Sequence, residues 1–269
     1  MTSIHATAIV EDGAILGAGV SVGPYCHIGP QVRLDEGVRL HSHVVLAGDT
    51  HIGAQCEIFP FASIGHKPQD LKYAGEPVTL EIGARCIIRE GVTINPGTAG
   101  GGGRTTIGER CALLANSHVG HDSHIGNGVI LSNNVMIAGH VSVDDHAIIS
   151  GGAGIHQFSR IGEHAFVGGL SGVENDVIPY GMALGNRAHL GGLNLIGLKR
   201  RNFSRDDIHA LRNAYKEVFG KGGTLVERAR RARDDYSGVE PVQKMAAFIL
   251  DAGDRRFCTP RPARGSRDE

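Results

Sequence analysis

A hydrophobic residue recurs at every sixth position through most of the chain, and this period constrains the fold more than any other feature. Counting in sixes from Ile4 meets Ile, Val or Leu eleven times in succession, ending at Ile64. The same phase returns over residues 82–94 and, after one added residue, continues over residues 107–173. An aliphatic-led hexapeptide of this kind is typical of a β-helix solenoid.

The hexapeptide predicts a triangular coil of three short strands and three turns, in which the aliphatic side chains point inward. Stacked coils are spaced by about 4.8 Å, the distance between hydrogen-bonded strands. A small residue follows four positions after the aliphatic one, and this position includes Cys26, Cys56, Cys86 and Cys111, which we expect in the core. Glycine often comes directly after the aliphatic residue, where it is expected to supply conformations closed to other residues; the positions are Gly17, Gly23, Gly29, Gly53, Gly83, Gly108, Gly126 and Gly162.

Composition and charge exclude several classes of protein. The formal net charge is −1, which gives no electrostatic basis for binding nucleic acid or an anionic membrane. No apolar run approaches the length of a membrane span, and the N-terminus lacks the pattern of a signal peptide. The five cysteines are odd in number and contain no CxxC pair, so we expect a reducing, cytoplasmic location without disulfides.

Two segments interrupt the hexapeptides, and a helical pattern follows them. The first excursion spans residues 66–80 and the second, rich in glycine, spans residues 96–104. Loops that leave a rigid solenoid are places for functional contacts, although a tolerated insertion is also open. We predict a β-helix over residues 1–196 and a C-terminal α-helical domain over residues 197–269, with the last dozen residues frayed. The helical segment is dense in Lys and Arg, which indicates a solvated face or a docking surface for an acidic partner.

One group of histidines is predicted to form a site. Residues eighteen apart stack on successive coils, so the spacing gathers a patch composed of His121, Asp122, Gly139, His140, His156 and Gln157. A neutral imidazole accepts a proton at working pH, an adjacent carboxylate fixes its tautomer, and a backbone N–H stabilises an oxyanion. The pattern therefore favours acyl transfer, with His121 as general base, Asp122 as its partner and Gly139 as oxyanion donor.

Other interpretations of these residues stay open at this point. The patch is also consistent with polar residues on the surface of a trimer. A zinc-dependent carbonic anhydrase-like hydratase is the rival enzyme class, with His118, His121 and His140 as metal ligands. A non-enzymatic solenoid scaffold would favour a regular threonine face, which this chain lacks.

Several motifs resemble those of the UDP-N-acetylglucosamine O-acyltransferase family, and the likeness extends from about residue 3 to about residue 220. The most specific are QDLKYAGEP at 69–77 and GLKRR at 197–201. They are joined by IREGVTI at 88–94, HVGHD at 118–122, AGHVSVDD at 138–145 and IHQF at 155–158.

The resemblance implies a left-handed parallel β-helix and a homotrimer with its sites between neighbouring prisms. It implies transfer of a 3-hydroxyacyl chain from acyl carrier protein to the glucosamine 3-position of a UDP-sugar, the first step of lipid A biosynthesis. The carrier thioester is the co-substrate, and neither a cofactor nor a metal is expected. The resemblance assigns catalysis to His121, Asp122 and Gly139, and substrate contacts to Asp70, Lys72, His118, His140, His156, Gln157, Gly169, Asn194, Arg200 and Arg201. Gly169 corresponds to the residue that limits acyl length, and the lack of a side chain would admit a longer chain.

The chain departs from the family pattern in two places. Ile196 stands where many members have a glutamate that contacts the nucleotide, and TINPGT at 93–98 replaces a frequent TIHRGT. Nucleotide contacts are therefore expected to differ in detail, and the acceptor remains either a 3-hydroxy or a 3-amino sugar. An N-acyltransferase of the same pathway is the alternative within this fold. That class normally carries an additional N-terminal uridine-binding domain, whereas the hexapeptides here begin at Ile4.

Overall fold

The computed structural model describes residues 1–261 and shows three parallel sheets that close a triangular prism. Most strands contain two residues, and each pairs with the strand one coil further along the chain. Leu113, for example, pairs with Leu131, and Leu131 pairs with Ile149, so the predicted eighteen-residue coil is confirmed. The fold is the predicted left-handed parallel β-helix followed by helices.

The three sheets take consecutive strands in rotation. The first sheet contains Ser3–Ile4, Ser21–Val22, Arg39–Leu40, Glu57–Ile58, Ile87–Ile88, Ala112–Leu113, Ile130–Leu131, Ile148–Ile149, Phe166–Val167, Gly181–Leu184 and the antiparallel His189–Leu193. The second contains Ile9–Val10, His27–Ile28, Val45–Leu46, Ser63–Ile64, Thr93–Ile94, His118–Val119, Met136–Ile137, Gly154–Ile155 and Gly172–Val173. The third contains Ile15–Leu16, Arg33–Leu34, Asp49–Ile52, Thr79–Ile82, Arg104–Ile107, His124–Ile125, Ser142–Val143 and Arg160–Ile161.

Three rows of turns form the corners of the prism. We name the turn from the first sheet to the second the first corner, from the second to the third the second corner, and from the third to the first the third corner. Both excursions leave the prism at the second corner, because each connects a strand of the second sheet to one of the third. The insertions therefore lengthen turns and leave the inward aliphatic rows in register.

The inward aliphatic residues and the small residues form one continuous core. The aliphatic rows from Ile28 to Val173 are almost fully buried, and so are the predicted core cysteines, which are free thiols. Stacking of neighbouring coils supplies this burial, so each coil is stabilised mainly by the coils next to it.

The glycine prediction was wrong in its physical reason. The glycines that follow the aliphatic residues have ordinary φ angles, but a Cβ there would meet the backbone of the next coil, at 2.7 Å for Gly53 and Gly83. Close approach between coils is what excludes a side chain at these positions. The left-handed conformation occurs at the corners instead, and it is often held by non-glycine residues such as Asn116, Asp122 and His140, with φ of 60°, 57° and 59°.

Within residues 1–261, four helices follow the prism: α1 (Leu195–Arg200), α2 (Arg205–Val218), α3 (Leu225–Asp235) and α4 (Glu240–Leu250). The Ser204 side chain caps α2 as expected, accepting a hydrogen bond from the Asp207 N–H. The first helix starts at Leu195, two residues before the predicted domain boundary. No helix within residues 1–261 is long and apolar enough to cross a membrane.

An ion pair joins α4 to the third corner. Lys244 of α4 lies 2.9 Å from Glu163, whose carboxylate is also 3.3 Å from His164. Hydrogen bonding from His164, followed by that from Lys244, outweighs burial and holds the pKa of Glu163 at about 2. Glu163 is therefore ionised at neutral pH, and this ion pair ties α4 to the prism.

The first residues of the segment expected to fray are hydrogen-bonded to the prism. Of the dozen residues expected to fray, Cys258 donates its N–H to the Asp176 carbonyl, and Leu190 donates to the Thr259 carbonyl. Asp176 is nearly fully buried and also pairs with Arg160 at 2.7 Å, which anchors the returning strand at the end of the prism. Residues 262–269 lie outside the described part of the chain.

Candidate active site

The predicted histidine patch lies on the second corner. His121–Asp122, Gly139–His140 and Gln157–Phe158 occupy this corner on three successive coils. The His140 N–H donates to the His121 carbonyl at 2.9 Å, and the Phe158 N–H donates to the Gly139 carbonyl at 3.3 Å. The coil spacing thus places the predicted base, its partner and the predicted oxyanion donor next to one another.

His121 and Asp122 form a hydrogen-bonded pair. The His121 Nδ1 lies 2.8 Å from the Asp122 Oδ2, so Nδ1 carries the proton that is donated to the carboxylate and Nε2 is left as a proton acceptor. The Asp122 side chain is 0% exposed, whereas the His121 side chain is 12% exposed. A buried carboxylate thus orients an imidazole whose outer nitrogen reaches the surface, as in a catalytic dyad.

The second excursion supplies donors to the buried carboxylate. The Thr98 N–H donates to Asp122 Oδ1 at 2.7 Å, and the Thr98 hydroxyl donates to Oδ2 at 2.6 Å. Burial by itself would raise the pKa of Asp122, but hydrogen bonds from Thr98 and His121 outweigh it and hold the pKa below its usual value. Asp122 is therefore ionised at neutral pH.

Gly139 lies alongside the imidazole of His121. A Cβ at Gly139 would be 2.6 Å from the His121 Cε1 and 2.7 Å from Nε2, so only glycine fits there without moving the ring. Within residues 1–261 the Gly139 N–H donates to no protein acceptor. A free backbone donor beside a basic nitrogen is the arrangement that stabilises an oxyanion.

Aromatic and histidine side chains extend this surface along the prism. The His140 ring meets the His121 ring edge-on at 5.0 Å and stacks on Phe158 at 4.5 Å. Phe158 was missed by our sequence reasoning, because an exposed aromatic residue at a turn has no periodic pattern. His156 and Gln157 lie beside Phe158 and are exposed.

His118 lies on the strand of the second sheet that leads directly into the turn with the dyad. Its Nδ1 is 2.7 Å from the Thr93 hydroxyl, and burial lowers its pKa below the usual value. A neutral imidazole at this place offers a hydrogen bond without a charge. Its position suits contact with a polar group of a substrate held at the second corner.

Asp70 and Lys72 lie in the first excursion, which leaves the prism at the second corner and packs against earlier coils. Asp70 Oδ1 accepts the Lys72 N–H at 2.9 Å in a local turn, and the Lys72 side chain is exposed. A cleft of about 470 Å³ lies between this excursion and the prism, lined by Asp49, Lys67, Tyr73, Pro96 and neighbouring residues. The two predicted contacts therefore lie on the same corner as the histidine patch.

The remaining predicted residues lie elsewhere on the single chain. Arg201 lies at the third corner, where it donates to the His146 carbonyl at 3.3 Å, and burial lowers its pKa. Asn194 caps α1 and donates to the His164 carbonyl, while Arg200 is exposed. Gly169 lies exposed at the first corner. One chain does not bring these residues to the dyad.

Metal binding is the other function that the residues of this corner could support. His121, Asp122 and His140 are the one group within residues 1–261 whose ligand atoms lie close enough together, within 4.8 Å, to hold an ion. Both Asp122 oxygens, however, already accept hydrogen bonds from Thr98, and Oδ2 also accepts one from His121. This donor set favours acid–base chemistry over metal ligation, since a metal would have to displace these donors.

The prism and a dyad beside a free backbone donor define a hexapeptide-repeat acyltransferase. Residues 13–48 and 104–139 match the bacterial transferase hexapeptide family, and residues 176–258 match domain 2 of the UDP-N-acetylglucosamine O-acyltransferase family. The chain belongs to the acyl-[acyl-carrier-protein]–UDP-N-acetylglucosamine O-acyltransferase family, and the family prediction is confirmed.

Relatives and solved structures agree over most of the chain. The Rhizobium johnstonii O-acyltransferase is 49% identical over 96% of this chain and 94% of its own length. The Methylobacterium radiotolerans O-acyltransferase is 60% identical over 76% of this chain and 75% of its own. The crystal structure of the Moraxella catarrhalis UDP-N-acetylglucosamine O-acyltransferase matches with a TM-score of 0.92 and 40% identity, covering 95% of this chain and 99% of that one.

Proposed function

We propose that this enzyme transfers a 3-hydroxyacyl chain from acyl carrier protein to the glucosamine 3-hydroxyl of UDP-N-acetylglucosamine, the first step of lipid A biosynthesis. The observation that carries the proposal is the buried, ionised Asp122 on Nδ1 of His121, with Nε2 left as a proton acceptor and the imidazole packed against Gly139, whose N–H donates to no acceptor within residues 1–261. The names of relatives at 49% and 60% identity support the donor and the acceptor.

The geometry supports a two-step acyl transfer. His121 Nε2 removes the proton from the sugar hydroxyl while the hydroxyl oxygen attacks the thioester carbonyl. The tetrahedral oxyanion accepts a hydrogen bond from the Gly139 N–H, and Asp122 stabilises the imidazolium. When the intermediate collapses, the carbon–sulfur bond breaks and the imidazolium returns its proton to the thiolate of the carrier. No cofactor is needed, because the thioester supplies the activated acyl group.

The test is an acyl-transfer assay with purified protein. Carrier thioesters of graded chain length are offered with UDP-N-acetylglucosamine or with its 3-amino analogue, in the presence and absence of a chelator. We expect transfer to the hydroxyl acceptor and no loss with the chelator. Preference for the amino analogue would replace the acceptor in the proposal, and chelator-sensitive hydration of carbon dioxide without acyl transfer would favour the hydratase.

We propose that α1 and α2 form the docking surface for the carrier. Lys199, Arg205 and Arg212 surround a groove that also exposes part of Phe203 and Ile208. Clustered positive charges around an apolar patch favour an acidic partner. We also place the enzyme in the cytoplasm, because the cysteines of the described chain are free and buried and the carrier is a cytoplasmic protein.

We propose a homotrimer, because the later coils present an apolar face that no element within residues 1–261 covers completely. On the first sheet the outward residues of the early coils are polar, whereas those of the later coils form a stripe of Ile87, Ala112, Ile130, Ile148, Phe166 and Met182. Ile87 is 43% exposed and the others are half-buried. A neighbouring copy would cover the stripe and bring its own first or third corner toward the dyad, which accounts for the separation of Gly169 and Arg201 from His121.

The stripe gives a direct test of the oligomer. The wild-type protein is expected to sediment at three times the 28.4 kDa of one chain. Phe166→Glu buries a charge in the proposed interface and should shift the protein to smaller species, whereas Arg39→Glu, on the polar part of the same sheet, should not. A monomeric wild-type protein, or an intact trimer in Phe166→Glu, would contradict the proposal.

A further inference from the structure

The second excursion and the strand that follows it hold Asp122 through hydrogen bonds. Thr98, near the start of the excursion, donates its N–H and its hydroxyl to the two oxygens of Asp122 at 2.7 Å and 2.6 Å. Thr105, just after the end of the excursion, accepts the Asp122 N–H at 2.8 Å. Thr98 of the loop therefore fixes the side chain of Asp122, and Thr105 of the strand that follows the loop fixes its backbone.

The excursion fits closely against this carboxylate. A Cβ at Gly101 would lie 2.0 Å from the Asp122 Cγ, so the loop can close over the carboxylate only with glycine at this position. Thr98 and Thr105 are themselves buried, which keeps water from competing for the carboxylate. Because the Thr98 hydroxyl and the His121 Nδ1 share Oδ2, the hydroxyl helps to set the direction from which the carboxylate meets the imidazole.

The second excursion is also hydrogen-bonded to the first excursion. The Ala99 N–H donates to Glu76 Oε1 at 3.2 Å, and the Asn95 side chain donates to the carbonyls of His66 and Lys67. Asn95 is one of the residues at which this chain departs from the family pattern, and it is buried. The loop with Asp70 and the loop that holds Asp122 therefore form one hydrogen-bonded unit.

We propose that Thr98 is a positioning residue, which holds the Asp122 carboxylate at the angle that keeps His121 Nε2 directed at the acceptor hydroxyl. This inference rests on the proposed function. Thr98 does not reach the reacting atoms, and its effect passes through the carboxylate. Its loss should therefore slow the chemical step and leave substrate binding almost unchanged.

A graded series at Thr98 tests the inference by separating kcat from KM. Thr98→Val keeps the shape but lacks the hydroxyl donor, and kcat is expected to fall about tenfold to a hundredfold, because a displacement of about 1 Å at a reacting group costs up to about a hundredfold in rate. Thr98→Ser should restore most of the rate, and Thr98→Cys, a weaker donor, should fall between them. KM for the UDP-sugar should stay within about twofold of the wild-type value throughout.

Thr106→Val is the matched control. Thr106 lies on the third sheet next to Thr105, and its hydroxyl is 2.9 Å from the exposed His124 instead of the dyad, so wild-type kcat is expected. If Thr98→Val does not fold, the kcat values of wild type, Thr98→Ser and Thr98→Cys are compared at equal melting temperature. A kcat that falls in that order supports the role of Thr98. Equal kcat along the series, or a parallel loss of kcat, KM and melting temperature without rescue by Ser, would overturn the role of Thr98. Absence of acyl transfer in the wild-type enzyme would instead refute the proposed function.

Discussion

His121→Ala is expected to lower kcat by about three to four orders of magnitude, the upper range for loss of a general base. No other described side chain pairs a free basic nitrogen with the Gly139 N–H, so nothing nearby replaces the imidazole. The Asp122 carboxylate keeps both hydrogen bonds from Thr98, and the inward core is untouched. The proposed trimer and the KM for the UDP-sugar should therefore change little.

His124→Ala is the control for this experiment. His124 lies one strand further along on the third sheet, is exposed, and contacts Thr106. Its loss should leave kcat within about twofold of wild type, as is usual for surface substitutions. Acyl transfer by His121→Ala at a rate close to that of wild type would remove His121 as the base and reopen the assignment of the whole corner.

Gly139→Ala should have the next largest effect, a fall in kcat of about a hundredfold. The new Cβ would lie 2.6 Å from the His121 ring, and the ring must move, since the neighbouring backbone is fixed by the stacked coils. A displacement of about 1 Å at a reacting group costs about a hundredfold in rate. The methyl group also crowds the space in which the oxyanion meets the Gly139 N–H.

Gly151→Ala separates this effect from a general cost of removing glycine. Gly151 occupies the equivalent turn position at the first corner, and a Cβ there comes no closer than 3.3 Å, to the Asn133 carbonyl. We expect steady-state kinetics close to wild type for this variant. Unchanged kcat in Gly139→Ala, with an unchanged melting temperature, would show that the ring is not held against this glycine.

The hexapeptide period was sufficient to predict a β-helix, because each inward residue sees the same environment on every coil, whereas its left-handedness was implied only by the family resemblance. The period also predicted that His121, Asp122, Gly139 and His140 share a corner, since stacking converts a sequence interval into a distance. The role of glycine was mistaken, because the period locates a glycine without telling a tight approach from a left-handed φ. Gly53 and Gly83 show the former.

The excursions lie beyond what the period can predict. Thr98 contacts Asp122 only because the second excursion folds back over the second corner, and no repeat relates their positions. Thr105, in contrast, lies on the strand Arg104–Ile107, which the repeat stacks on the strand after Asp122. Like the contact of Thr98, the separation of Gly169 and Arg201 from the dyad is not predicted by the period. The family motifs imply one substrate site, but a single chain places these residues on three different corners, and only a neighbouring copy would close the gap.

The left-handed backbone of Asp122 also determines how the dyad can be probed. Most side chains are strained at a φ of 57°, but aspartate and asparagine tolerate it, and this chain already uses Asn116 and Asn134 at equivalent turns, with φ of 60° and 58°. Exchanging the carboxylate for an amide should therefore leave the backbone of the turn almost unchanged, whereas alanine would be strained there. The charge of the residue 122 side chain can therefore be removed without a change in the backbone conformation of the turn.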